Sequence, residues 1–142
     1  MNSLKNKMKK QGGFTLIEML IVVAIIAILI AVSIPLVSSS MEKTQKATDA
    51  ANERAAKAEI TIMYLSDSSF DATKIYAYDA ETGKIGTDVP EEKYGKCSAH
   101  RNYYLILQLN ADGKLSMAWT DAANIPGTIA EDTTLHGVGT ID

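Results

Sequence analysis

The chain has 142 residues, a formal net charge of −3 and one cysteine, Cys97. This acidity, together with the lack of a basic stripe, argues against an intrinsic nucleic-acid-binding surface. One cysteine cannot close an intramolecular disulfide, so the fold must be held together without one. About a hundred residues follow the N-terminal apolar segment, which is enough for one globular core and too few for two.

The N-terminal region combines a basic start with a long apolar segment. Lys5, Lys7, Lys9 and Lys10 precede residues 14–37, in which only Thr15, Glu18, Ser33 and Pro35 are not apolar. About 20 apolar residues in a helix cross the roughly 30 Å hydrocarbon core of a bilayer. Basic residues stay on the cytoplasmic side. We therefore predict one membrane span with a cytoplasmic N-terminus, and with the C-terminal region outside.

Two simpler interpretations of this segment are a secretory signal peptide and an ordinary signal anchor. A signal peptide has an apolar core of about 7 to 15 residues followed by a small-residue cleavage site. Here the run is longer, and Gly12 and Gly13 come before it. An ordinary anchor does not explain Glu18, because a carboxylate at the centre of a span costs about 2.5 to 3.5 kcal/mol. Cleavage between Gly13 and Phe14 would place a new α-amino group one helical turn from Glu18.

The N-terminal motif resembles that of the type IV pilin and pseudopilin superfamily. The resemblance rests on a basic leader, the string Gly12-Gly13-Phe14-Thr15-Leu16-Ile17-Glu18, an apolar helix and Pro35 downstream. It implies that a prepilin peptidase cuts between Gly13 and Phe14 and N-methylates Phe14, and that Glu18 and Pro35 act in assembly. It also implies a homopolymeric helical filament, built from the membrane by an assembly ATPase and a platform protein.

Three functions are open, the third of which treats the resemblance of the motif as accidental. The first is a structural pilin of a type IV pilus used for adhesion, motility and biofilm formation, which is a single-pass membrane protein before assembly and extracellular afterwards. The second is the major pseudopilin of a type II secretion system, or a competence pilin for DNA uptake. The third is a monomeric membrane-anchored binding module. Many Gram-negative pilins carry a disulfide-closed loop, so the single cysteine favours a pseudopilin or a pilin of Gram-positive type.

Residues 38–66 are predicted to continue the helix as an amphipathic half. One face is formed by residues spaced three and four apart, namely Ala47, Ala51, Ala55, Ala58, Ile62 and Leu65. We predict that this face docks on a sheet, with a coiled-coil seam to another subunit as the alternative. Acid–base pairs are expected on other faces, from Glu42 to Lys46 and from Glu53 to Lys57. Pro35 should kink the helix, and residues 66–69 should end it.

Residues 67–142 are predicted to form an αβ-loop and an antiparallel sheet, which gives an α+β pilin fold after a cleaved leader at 1–13 and a membrane helix at 14–37. Residues 102–109 and 114–120 predict a hairpin with a glycine-containing loop. Its inner face carries Leu105, Leu107, Met117 and Trp119. Residues 138–141 are a candidate third strand, 74–78 a short strand or irregular segment, and 79–95 a loop.

Catalytic chemistry is not indicated by the sequence. Neither His100 nor His136 lies in a recognisable motif with Cys97 or a serine, and phosphate-binding and CxxC motifs are missing. We therefore predict no enzyme activity, no cofactor and no metal. Cys97 is predicted to be a small, partly buried hydrophobic residue, with an intermolecular or reactive thiol as the alternative. Asp121, Glu131 and Asp132 could bind calcium, but they lack the spacing of a dedicated loop, so we predict solvated turn residues.

Overall fold

The computed structural model of the chain describes residues 13–129. The predicted third strand at 138–141, His136, Glu131, Asp132 and leader residues 1–12 lie outside this range. One helix, α1 (Leu16–Ser66), is followed by the strands β1 (Tyr76–Asp79), β2 (Lys84–Gly86), β3 (Tyr104–Leu109) and β4 (Leu115–Thr120). The structure is therefore a long N-terminal helix packed on a small antiparallel sheet, which confirms the predicted α+β class.

The chain divides into two compact units, one up to Ser38 and one from Ser39 onward. In the described part of the first unit, the large apolar side chains from Phe14 to Val37 are exposed. By length and composition, α1 is the one described helix that could cross a membrane. Exposed apolar side chains in a run of this length require an apolar environment.

Pro35 lies within α1. On either side of it, the hydroxyls of Ser33 and Ser38 donate hydrogen bonds of 2.6 and 3.0 Å to the carbonyls of Leu29 and Ile34. These bonds satisfy two polar groups within an apolar segment, as serine commonly does in membrane helices. The kink expected at Pro35 stays a prediction.

Helix α1 ends where the sequence predicts. The Asp67 amide donates to the Met63 carbonyl at 2.9 Å, which completes the last turn. The Asp67 carboxylate then accepts hydrogen bonds from the amide and the hydroxyl of Ser69 at 2.8 and 2.7 Å. A side chain that binds the backbone two residues ahead offers the chain an alternative to further helix, so this local turn ends α1.

The sheet has the strand order β2-β1-β3-β4, with every neighbouring pair antiparallel. In the β3–β4 hairpin, Leu105 lies opposite Trp119 and Leu107 opposite Met117. Gly113 adopts a φ of 80° in the connecting turn, a conformation that glycine reaches without strain. The predicted hairpin and its inner face are confirmed.

The prediction of a loop over residues 79–95 is wrong in part, because β2 lies within it. This three-residue strand pairs at the sheet edge with β1. The turn before it is built by Asp79, whose carboxylate accepts hydrogen bonds from the Thr82 hydroxyl at 2.8 Å and the Tyr94 hydroxyl at 2.6 Å. A strand of three residues is too short to show alternating apolar and polar residues in the sequence, and β2 forms because it pairs with β1.

The two faces of the sheet carry two apolar clusters. The larger cluster joins the helix to the sheet and contains Ala56, Ile60, Tyr76, Tyr78, Leu105, Leu107, Leu109, Met117 and Trp119. The smaller one lies on the opposite face and contains Ile75, Ala77, Ile106 and Ala118, with Val89, Ile125 and Ile129 packed against it. Both faces are covered, so β3 is buried along most of its length and β4 at residues 117–119.

The predicted docking face of α1 is wrong. Ala47, Ala51, Ala55, Ala58, Ile62 and Leu65 are all exposed, whereas Asp49, Ala50, Glu53, Ala56 and Ile60 are buried. The buried face includes two acidic residues, which hydropathy assigns to solvent. Glu53 was accordingly expected on an outer face facing Lys57. The Glu42–Lys46 pair is present at 3.9 Å and exposed.

Candidate functional site

The first candidate site is the start of α1, where Thr15 and Glu18 bind each other reciprocally. The Thr15 amide donates to Glu18 Oε2 at 2.8 Å, and the Glu18 amide donates to Thr15 Oγ1 at 3.3 Å. This arrangement is a capping box, in which a Thr-x-x-Glu sequence satisfies two amides that the helix leaves without a partner. The carboxylate also lies at the positive end of the helix dipole.

The capping box changes the interpretation of Glu18. The sequence suggested that an ordinary membrane anchor gains nothing from this acid, but capping is a benefit that any helix would have. The spacing of Thr15 and Glu18 was the signal for it. Glu18 by itself therefore does not separate an assembly subunit from a plain anchor, and an experiment must separate its charge from its capping role.

The predicted cleavage position lies directly before this cap. Gly13 and Phe14 are exposed, and a Cβ added to Gly13 would meet no atom within 4 Å. The structure thus brings Gly13, Phe14 and Glu18 together at the start of α1 and places Pro35 about five turns further along it. Processing at the Gly13–Phe14 bond stays a prediction.

The second candidate site begins with three acidic residues on α1, Glu42, Asp49 and Glu53, which we call the carboxylate row. Asp49 Oδ1 and Oδ2 accept hydrogen bonds of 2.9 Å from the amides of Lys96 and Cys97. Glu53 Oε1 accepts a 2.9 Å bond from Trp119 Nε1, and the Glu42 carboxylate accepts bonds from Ser98. The row thus attaches the helix to β4 and to the loop before β3.

That loop, residues 95–103, is closed by its own backbone. The Gly95 amide donates to the Tyr103 carbonyl, the Asn102 amide to the Gly95 carbonyl and the His100 amide to the Cys97 carbonyl, each at 3.1 Å. A Cβ on Gly95 would collide with the His100 carbonyl oxygen, so only glycine fits there. Asn102 has a positive φ of 61°, which asparagine tolerates better than most residues. The loop therefore has a defined shape that turns Cys97 and His100 inward.

Asp49, Cys97 and His100 form one buried cluster. Cys97 Sγ lies 3.5 Å from His100 Nδ1, which in turn lies 3.9 Å from Asp49 Oδ2. The His100 ring stacks on Trp119, with 5.1 Å between centroids and 13° between planes. The sequence shows no recognisable motif that joins His100 to Cys97, and the group becomes visible only when Asp49 of the distant helix completes it. The three-residue spacing of Cys97 and His100 was the available signal.

The burial of this cluster decides which chemistry it can perform. A cysteine, a histidine and an aspartate could in principle serve as nucleophile, base and orienting group. Desolvation and the hydrogen bond to Asp49 both raise the pKa of the Cys97 thiol. Cys97 and Asp49 have no exposed surface. A protonated thiol that substrate cannot reach is a poor nucleophile, so these observations favour a structural role over a nucleophilic one.

Replacing Asp49 with alanine is expected to destabilise the second unit by about 3 kcal/mol or more. The change leaves the buried Cys97 amide and the part-buried Lys96 amide without their acceptor, at about 1 to 3 kcal/mol for a buried group and less for the other. Urea denaturation of the full chain in detergent, followed by circular dichroism, would measure the loss. Asp112→Ala, in the exposed hairpin turn, is the control and should stay within about 0.5 kcal/mol. Equal losses in the two variants would contradict this role for Asp49.

Of the residues considered for calcium, the structure describes Asp121 alone. It is exposed, and its backbone carbonyl accepts a hydrogen bond from Lys93 Nζ at 3.3 Å. Glu131 and Asp132 lie outside the described range. That these acidic residues are solvated turn residues and not calcium ligands therefore stays a prediction from the sequence.

Comparison with known proteins gives a match at the N-terminus. Residues 8–34 match the family model described as the prokaryotic N-terminal methylation motif. This range contains Gly13, Phe14 and Glu18. No solved structure matches the chain. The motif, followed by one apolar helix packed on a small antiparallel sheet, defines a membrane-anchored prepilin. Over residues 8–34 the chain is thus similar to the type IV pilin and pseudopilin superfamily.

Proposed function

We propose that this chain is the structural subunit of a type IV pilus that serves adhesion, motility and biofilm formation. The observation that carries the proposal is the exposed apolar part of α1, joined to the methylation motif at residues 8–34. The prepilin peptidase cuts the precursor between Gly13 and Phe14 and methylates Phe14. An assembly ATPase and a platform protein then polymerise the subunits into an extracellular filament.

The exposed apolar segment supplies the driving force for this assembly. Its side chains are accommodated in the bilayer while the N-terminus is cytoplasmic and the second unit lies outside. Extraction from the membrane would expose them to water, at a cost of about 25 cal/mol per Å² of apolar surface. Packing the same segments of many copies against one another hides this surface again. The subunit is therefore stable in the bilayer and in a filament, but not as a single copy whose apolar segment is exposed to water.

Glu18 sets the position of each subunit along its neighbour in the filament. Its Oε2 atom caps the helix through Thr15, and a carboxylate has further lone pairs to accept a second partner. Cleavage creates a positively charged amine at Phe14, and the proposed partner is this amine on a neighbouring subunit. In apolar surroundings an acid without a partner is costly, so each incoming subunit is held where its amine meets the Glu18 of its neighbour.

Glu18→Gln separates the two roles of this residue. Glutamine can also close a capping box, but it carries no charge. We expect Glu18→Gln and Glu18→Ala alike to enter the membrane and to reduce sheared surface filaments about tenfold or more, which corresponds to about 1.4 kcal/mol per subunit contact. The measurement is the ratio of mature chain in the sheared fraction to chain in the membrane. Normal filaments from Glu18→Gln would show that Glu18 acts as a cap alone.

A second candidate is the major pseudopilin of a secretion system or a competence pilin, because the single cysteine fits a pseudopilin as well as a pilin of Gram-positive type. Shearing cells of the natural host distinguishes the candidates. Long surface filaments that contain the mature chain support the pilus. Normal membrane levels of mature chain without such filaments favour the pseudopilin.

A further inference from the structure

The buried cluster of Asp49, Cys97 and His100 offers one oxygen, one sulfur and one nitrogen donor at a single point. The donor atoms all lie within 4.8 Å of one another, and all three residues are buried. We propose that this cluster is a binding site for a divalent transition-metal ion with the ligand preferences of Zn²⁺. Such a site would tie α1 to loop 95–103 in a chain that cannot form an internal disulfide.

The distances from His100 Nδ1 to the other two donor atoms are near those of tetrahedral coordination. Zn–S bonds of about 2.3 Å and Zn–N bonds of about 2.0 to 2.1 Å give a tetrahedral edge of roughly 3.5 Å between the two donors. The observed distance between Cys97 Sγ and His100 Nδ1 is 3.5 Å. Asp49 Oδ2 lies 3.9 Å from Nδ1, about half an ångström beyond the corresponding edge, and all three donor atoms lie within 4.8 Å of one another.

The local fold prepares the site before any ion arrives. Two ligands separated by two residues on a tight turn are the usual half of a structural zinc site. Here the turn is set by the hydrogen bond between the His100 amide and the Cys97 carbonyl. The amides of Lys96 and Cys97 orient the Asp49 carboxylate, and Trp119 holds the His100 ring by stacking. Outer contacts of this kind fix ligand orientation in known metal sites.

The charges also balance. On binding, the Cys97 thiol loses its proton to solvent and the sulfur forms a bond to the ion, with no change in oxidation state. One thiolate, one carboxylate and one neutral imidazole then neutralise a divalent cation. Neutrality matters here because a net charge is expensive in a buried environment. The sulfur and nitrogen donors select Zn²⁺ or Co²⁺ over Mg²⁺ and Ca²⁺, which prefer oxygen.

The chain has one cysteine and one tryptophan, so each reports on this site alone. The full chain is purified in detergent, metal-free, with a non-thiol reductant, and titrated with Co²⁺. We expect a near-ultraviolet thiolate-to-cobalt absorption band, which only Cys97 can produce. We also expect quenching of Trp119 fluorescence at the same Co²⁺ concentration, because Trp119 stacks on a ligand. Zn²⁺ should reverse both signals, whereas Mg²⁺ and Ca²⁺ should leave them unchanged.

Matched variants assign the ligands. Cys97→Ser should abolish the absorption band, and His100→Gln should weaken Co²⁺ binding about tenfold or more. His136→Gln replaces the only other histidine and should bind Co²⁺ as the unsubstituted chain does.

If the ligand variants do not fold, the Co²⁺ titration of the unsubstituted chain still tests the proposed metal site. The proposal is overturned if about 100 µM Co²⁺, a concentration well above the dissociation constants of structural zinc sites, produces no band. It is also overturned if the band appears without quenching of Trp119, or if His100→Gln binds Co²⁺ as tightly as the unsubstituted chain.

Discussion

Replacing Gly13 with leucine is expected to leave the whole population of the chain as an uncut precursor in the membrane. Gly13 is exposed, and a Cβ at this position would meet nothing within 4 Å, so the larger side chain disturbs no contact of the described residues. The loss of processing would therefore arise at the peptidase, whose substrate site must accommodate the residue before the cut bond. Intact mass analysis of membrane extracts measures the outcome directly.

In the unsubstituted chain, the same analysis should find a product that begins at Phe14 and carries one additional methyl group. Gln11→Leu introduces the same side chain two residues earlier in the leader and should be processed normally. A mature chain beginning at Phe14 in Gly13→Leu would refute the assignment of the cleavage site. A precursor that accumulates in both variants would point to a general effect of leader hydrophobicity instead.

Trp119→Ala is expected to destabilise the second unit by about 3 to 5 kcal/mol, as removal of a large buried side chain does. Trp119 is 6% exposed and belongs to the cluster between helix and sheet. Its indole also donates to Glu53 and stacks on His100. The alanine variant therefore loses apolar burial and removes a donor from a buried carboxylate. Urea denaturation of the full chain in detergent would measure the change.

Two further variants separate the contribution of the indole hydrogen bond from that of apolar burial. Trp119→Phe keeps most of the apolar volume but removes the indole N–H, so it should cost about 1 to 3 kcal/mol. Tyr64→Ala removes an aromatic side chain that is 40% exposed and should cost less than either change at Trp119. A fluorescence emission maximum at the water-exposed limit in the unsubstituted chain would contradict the burial of Trp119.

The hairpin was predictable because its signals are local. Strand β3 is apolar at nearly every position and β4 carries apolar residues at every second position, and the two are joined by a short turn that ends in Gly113. Alternation with a period of two places Leu105, Leu107 and Met117 on one side whatever they pack against. The segment from 79 to 95 has no such alternation, and so β2 was missed.

The face of α1 was not predictable in the same way. Ala55 and Ala56 are adjacent and chemically identical, yet the first is exposed and the second is fully buried. Alanine gives little contrast on a hydropathy scale, so the periodicity of residues 47–65 supports more than one face. Asp49 and Glu53 determine which face of α1 is buried. Their carboxylates point inward because they accept hydrogen bonds there from backbone amides and from the Trp119 indole.

The sequence by itself determined the features that depend on neighbouring residues. These are the apolar segment, the basic leader, the Gly13-Phe14 motif, the end of α1 and the hairpin, all of which arise from composition and short-range spacing. The similarity to the type IV pilin and pseudopilin superfamily rests on the same N-terminal stretch.

Only the tertiary structure decided which side of α1 is buried and which side chains meet at Asp49. The hydrogen bonds that settle both questions join residues 47, 48 and 66 positions apart in the chain. An acid is predicted to face solvent because burying a charge without partners is costly. That rule fails where the fold brings hydrogen-bond donors from distant segments to the carboxylate. The sequence around the acid does not indicate where those donors will lie, so its burial could not be predicted.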